Sequence, residues 1–194
     1  MIILNIRFSK DFEARRVKTC LEKLDWYKAQ GYHVDLPKIG IDEEYREEDF
    51  LVFDNLIKDE WPKYEDKLSQ TLASLRGGEV QENYNINLTK YGVGGSYSLP
   101  NTVIINISQQ NNVISTVMHE IIHLTIDKLI RKYKIEHWQK ERIVNLISLK
   151  IFPEMFKLQR DPKNTEIIDQ EFKANYPNIE LIIKNISQKT IEIN

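Results

Sequence analysis

The sequence predicts an α+β fold, and three observations carry that expectation. Apolar residues recur at helical spacing through most of residues 10–75 and again through 112–151. Two short runs, 84–88 and 102–107, have the alternation or β-branched content of strands and flank a glycine-rich stretch. One long helix, 112–131, is mostly apolar but keeps a narrow polar face, and that face reads His119-Glu120-Ile121-Ile122-His123.

Taken in order, Met1 to Arg7 reads as a strand. Residues 10–30 read as helix through Phe12, Val17, Leu21, Leu24 and Trp26, stopping at Gly31. Pro37 and Gly40 mark a loop. Residues 42–75 open with Asp42-Glu43-Glu44, which suits a helix N-terminus, and form two helices broken near Pro62, with Gly77-Gly78 ending the run. Tyr84 to Leu88 and Thr102 to Ile107 are strands. Residues 93–99 between them, with Gly94, Gly95 and Ser96, form either an edge strand able to pair with an extended peptide or an ordinary hairpin turn. After helix 112–131, capped by Ser108, Asn111 or Asn112, the stretch from Tyr133 to Glu136 folds a second helix, about 138–151, back on the first. Residues 164–174 predict a short helix. Leu181-Ile182-Ile183 and Thr190-Ile191-Glu192-Ile193 predict strands. The expected organisation is a mainly helical region at 1–76, a core at 77–152 and a C-terminal extension at 153–194, or all three as one compact domain.

The spacing in His119-x-x-x-His123 has a chemical reading. Histidines at i and i+4 lie about 40° apart around a helix and roughly 6 Å apart along it, so both imidazoles reach one metal ion. Glu120 points to one side, where it takes a proton from metal-activated water without coordinating. The competing reading is a buried helix with two core histidines and a surface glutamate. His33, His119, His123 and His137 are the only histidines, so a chance match is uncommon.

A catalytic zinc needs a third protein ligand and one open position. The extended pattern H-E-x-x-H-x-x-G-x-x-H fails, because Ile126 stands at its glycine and Leu129 at its third histidine. Glu141 on the second helix is the first choice. His137, one turn before Glu141, and Asp127, four residues after His123, are rivals. Asp127 is better placed to accept from the His123 ring than to coordinate, or it is a solvated charge beside Lys128. His137 is an exposed helix start or a donor to a reaction intermediate. Tyr97 or Tyr91 could steady an oxyanion, or simply pack. His33 has no evident partner.

Through His119-Glu120-Ile121-Ile122-His123 and Glu141 the chain resembles the gluzincin, thermolysin-like branch of the zincin metallopeptidases. The resemblance implies a zincin-like core with an edge strand over the motif helix and a ligand-bearing helix after it. It implies one zinc ion held by His119, His123 and Glu141, with Glu120 as general base in peptide hydrolysis. Two departures stand out. The gap to Glu141 is a residue or two shorter than usual for the group. Asn145 stands where the group often carries an aspartate that supports a ligand histidine.

Composition bounds the rest. The 194 residues are 41% hydrophobic and 29% charged with net charge −2, an ordinary globular profile, and no basic block suggests nucleic acid. Cys20 is alone, which excludes an intrachain disulfide or a cysteine zinc cluster. The N-terminus is charged too soon for a signal peptide and no apolar run spans a membrane, so a cytoplasmic location is the expectation. The expected function is zinc-dependent hydrolysis of a peptide or protein. The alternatives are a non-catalytic zincin relative that binds a peptide or protein partner, and a helical interaction protein whose motif is accidental.

Overall fold

The computed structural model describes residues 1–157 and 165–193 and is α+β. Its elements are β1 (Ile3–Arg7), α1 (Lys10–Glu22), α2 (Leu24–Ala29), α3 (Ile41–Glu44), α4 (Glu47–Glu60), α5 (Glu65–Ser74), β2 (Asn83–Thr89), β3 (Gly95–Ser98), β4 (Thr102–Asn106), α6 (Val113–Lys132), α7 (His137–Ile151), α8 (Glu166–Asn175) and α9 (Ile179–Ile193). Short 3₁₀ turns at Trp61–Lys63 and Ile107–Gln109 complete the described residues.

The strands form one mixed sheet of order β1-β2-β4-β3. β1 pairs with β2 and β2 with β4 in parallel, Ile6 opposite Ile86 and Ile86 opposite Val103. β3 runs antiparallel to β4, Gly95 opposite Ile105, and forms one border of the sheet. The alternation in β2 buries Tyr84, Ile86 and Leu88, and β4 buries Val103 and Ile105. Burying every second side chain is what holds this register, since a one-residue slip would send each of them to the other face.

The chain packs as two compact units, and their boundaries cut across the sequence. One comprises Ile3–Lys63 and Asn83–Glu120, hence the whole sheet and the first helices. The other comprises Met1–Ile2, Tyr64–Glu82 and Ile121–Asn194. Pro62 explains one boundary: it has no N–H to continue α4, so the chain turns through Trp61–Lys63 before α5.

The tail corrects the sequence expectation. Leu181 to Ile183 and Thr190 to Ile193 are helical, all within α9. Ile179, Ile182, Ile183 and Ile186 are buried at helical spacing, and the Asn178 side chain accepts from the backbone N–H of Leu181 at 3.1 Å. One continuous apolar stripe packed against the core outweighs the β-propensity of isoleucine. The short helix expected at 164–174 is α8; residue 164 lies outside the described residues.

Candidate metal centre

α6 begins where the Asn112 side chain accepts from the N–H of Ser115 at 3.2 Å, one of the three expected caps. It ends in a Schellman turn. Ile135 N–H donates to Ile130 O at 3.0 Å and Lys134 N–H to Arg131 O at 3.3 Å, with Lys134 at φ 52° in the left-handed position usually given to glycine. Between these ends α6 is buried nearly all round. Ile126 and Ile130, which fall in or beside its polar arc, are both buried, Ile126 as fully as Val117 or Ile121. The polar arc is therefore not a solvent face.

On that arc, His119, Glu120 and His123 bring one potential ligand atom each to within 4.8 Å of one another. Glu120 and His123 are buried and His119 is partly so. α7 supplies the next group. A capping box fixes its first turn, the Glu136 and Gln139 side chains each accepting from the other's backbone N–H. In the following turn, Glu141 Oε2 lies 3.2 Å from His123 Nε2. Two ligands on a tetrahedral zinc at ~2.05 Å are about 3.3 Å apart. That distance suits neighbouring zinc ligands and equally an ordinary hydrogen bond between the two side chains, and Glu141 is not one of the three residues whose ligand atoms are gathered together. Its other carboxylate oxygen, Oε1, is 3.1 Å from Lys140 Nζ and 3.8 Å from His137 Nδ1.

His137 is neither an exposed helix start nor at hydrogen-bonding distance from Glu141. It is half-buried beside the Trp138 ring, and burial pushes its pKa down against the pull of the Glu141 carboxylate. Asp127 is not a solvated charge. It is buried, and its Oδ2 accepts from Arg131 Nε at 2.6 Å. Asn145 is also buried. Its Nδ2 donates to Lys157 O at 3.3 Å, while its Oδ1 has no hydrogen-bond partner among the described residues.

The glycine-rich stretch settles as an edge strand. Gly94 O accepts from Asn106 N–H at 3.0 Å and from Gln110 Nε2 at 2.7 Å, which ties the strand's entrance to β4 and the turn after it. Gly95 lies directly against the motif: a Cβ there would sit 2.5 Å from Glu120 Oε1 and 2.7 Å from Thr116 Cγ2. Strand alternation puts Tyr97 on the same face as Gly95 and Ser96 on the other. Ser96 Oγ accepts from Arg16 Nη2 at 3.2 Å, and Arg16 also reaches Tyr91 O at 3.4 Å. Tyr91 is a packed aromatic rather than an oxyanion group. It is buried and donates to Glu44 Oε2 at 2.9 Å; burial first, then that bond, raises its pKa well above the ordinary phenol.

His33 does have a partner, Asp35 Oδ1 at 3.0 Å, but stays exposed. Sequence reasoning missed Arg16 and Lys140. Arg16 sits among charged neighbours on an amphipathic helix, so nothing local marks it as buried. Lys140 is adjacent to Glu141, the one signal available for it. Comparisons of the chain with protein-family models, with curated proteins and with solved structures give no match.

Proposed function

We propose that the protein is a zincin-like, zinc-dependent metallopeptidase whose motif helix is α6. His119, His123 and Glu141 would hold the metal, and Glu120 would be the general base. The observation that carries this reading is the convergence on the motif helix: His119, Glu120 and His123 are gathered together, and Glu141 Oε2 stands one ligand spacing from His123 Nε2. Bound zinc supplies Lewis acidity, lowering the pKa of a coordinated water to about 7 and polarising the scissile carbonyl.

The chain's own groups do the rest. Glu120 takes the proton of the attacking water and passes it to the leaving amine. Its burial beside Gly95 limits water around the carboxylate. The outer border of β3 offers backbone groups to an extended peptide, which would add to the sheet as a further strand. With Gly95 bearing no side chain, that peptide can approach Glu120 closely.

Two measurements on Glu120→Gln test the reading. Zinc content by elemental analysis stays at about one per chain, as in the wild type, because a base that does not coordinate leaves the ligand set whole. Turnover of a quenched fluorescent peptide library falls at least 10²-fold, as roughly expected for loss of a general base. A variant that keeps wild-type turnover, or a wild type that takes up no zinc, overturns the proposal.

A further inference from the structure

Glu141 has two oxygens, and its surroundings treat them differently. Oε2 faces His123 Nε2 at 3.2 Å. Oε1 faces Lys140 Nζ at 3.1 Å, while His137 Nδ1, at 3.8 Å, is too distant to close a hydrogen bond. Of these two groups Lys140 is the one that pairs with Oε1. The pair is well covered, with only 15% of the lysine side chain and 14% of the glutamate side chain exposed, so solvent screens it weakly. Neighbouring helical residues point 100° apart, so this contact needs the long lysine stem to bend back along α7.

Resting on Glu141 as the third zinc ligand, we infer that Lys140 is a positioning residue that makes Glu141 a one-oxygen ligand. With Oε1 held by the ammonium, the carboxylate offers the metal Oε2 alone. That preserves the coordination position a catalytic site keeps for water or substrate. Without Lys140 one restraint on Oε1 is gone, and a bound metal would gain access to both oxygens and a higher coordination number. The lysine also partners the ligand from outside, and removing such partners commonly costs 10–100-fold in metal affinity, a rough guide here.

The full chain, stripped of metal, can be titrated with Zn²⁺ against a chromophoric chelator. The visible spectrum of its Co²⁺ form then reports coordination number, because five-coordinate cobalt absorbs more weakly than four-coordinate. Lys140→Met is expected to weaken zinc by about tenfold and to lower the cobalt absorption. Lys140→Arg, which keeps the charge and the reach, recovers most of both. Unchanged affinity in Lys140→Met, or weaker affinity with an unchanged cobalt spectrum, overturns the inference. Glu141→Ala separates the two layers. If it holds zinc as tightly as the wild type, the third-ligand reading fails and takes this inference with it. If it loses zinc while Lys140→Met does not, only the role of Lys140 falls.

Discussion

Gly95→Ala tests whether β3 is fitted to the motif helix. The new methyl would lie 2.5 Å from Glu120 Oε1, 3.2 Å from Glu120 Cδ and 2.7 Å from Thr116 Cγ2, where ordinary contact begins at 3.4 Å. The gap must open by about 0.9 Å at the carboxylate oxygen and about 0.7 Å at the threonine methyl. These neighbours differ in how they give way. The Glu120 carboxylate ends a flexible side chain and can swing aside. Thr116 is β-branched, stiff at χ1, and its hydroxyl donates to Gln110 Oε1 at 2.6 Å, so its methyl cannot turn away without breaking that bond. Overpacking of this kind costs about 1–3 kcal/mol. For a chain of this size that lowers Tm by roughly 2–12 °C. A displacement of the base by about 1 Å costs on the order of 10² in turnover. Zinc content should not change, since the three atoms nearest the new methyl belong to Glu120 and Thr116 and not to a proposed ligand. The double variant Gly95→Ala, Thr116→Ser removes the offending Cγ2 and keeps the hydroxyl. It should regain most of the lost Tm in a thermal melt while turnover of the peptide library stays low, because Glu120 is still displaced. Wild-type Tm and turnover in Gly95→Ala would refute the close fit of β3 on Glu120. Recovery of both by the double variant would refute the separate role of the carboxylate.

Two further predictions concern stability. Lys189 Nζ, then Asn185 Nδ2, donate to the Glu171 carboxylate and hold its pKa below the ordinary 4.5, so its stabilisation is present above that pH and lost as pH falls through the lowered folded-state value. Glu171→Gln should cost about 1–3 kcal/mol near neutrality in urea unfolding and should flatten the loss of stability below pH 4.5; an acid limb identical to the wild type would count against it. The second concerns His123 and Glu141, both largely buried. In metal-free protein, His123→Leu with Glu141→Met should leave stability unchanged or raise it by about 1–4 kcal/mol, as for other buried polar pairs replaced by apolar groups, while zinc binding is lost; a large fall in denaturation midpoint would mean the pair is structural.

Periodicity made the local elements legible. The strand at Tyr84–Leu88 shows its alternation directly, and helices α6 and α7 show theirs at 3.6 spacing. What stayed hidden depends on partners distant in sequence. Residues of β1 pair with residues of β2 some eighty positions later, and no local pattern encodes the parallel sense of that pairing. α9 was misread for a related reason: isoleucine-rich runs suit a strand, and only the packed stripe from Ile179 to Ile186 decides for helix. At the candidate site, the spacing of His119 and His123 was readable because one helix carries both. The closeness of Glu141 to His123 was readable only as a guess about the turn between α6 and α7. The structure supplies the physical reason, a Schellman turn at Lys134 followed by a capping box at Glu136. Adjacency to Glu141 marks Lys140 in the sequence but does not say which carboxylate oxygen it meets.

The burial of α6 bears on why its polar residues are there at all. The buried run from Glu120 to Asp127 could be filled with leucine and isoleucine at lower cost, since each buried polar group forfeits hydration and regains only part of it from a partner. The helix instead carries Glu120, His123, Thr125 and Asp127 in its buried portion. Thr125 is satisfied within the helix, donating to Ile121 O at 2.9 Å, and Asp127 is satisfied one turn on by Arg131. Those two are the ordinary means of making a buried polar residue tolerable. His119, Glu120 and His123 add a further feature: their potential ligand atoms lie within 4.8 Å of one another, and Glu141 comes to His123 from a second helix. Convergence of this kind adds little to folding and brings like-natured acceptors together. It is the arrangement a cation would repay, and this favours a metal-binding role for the motif over an accident of composition.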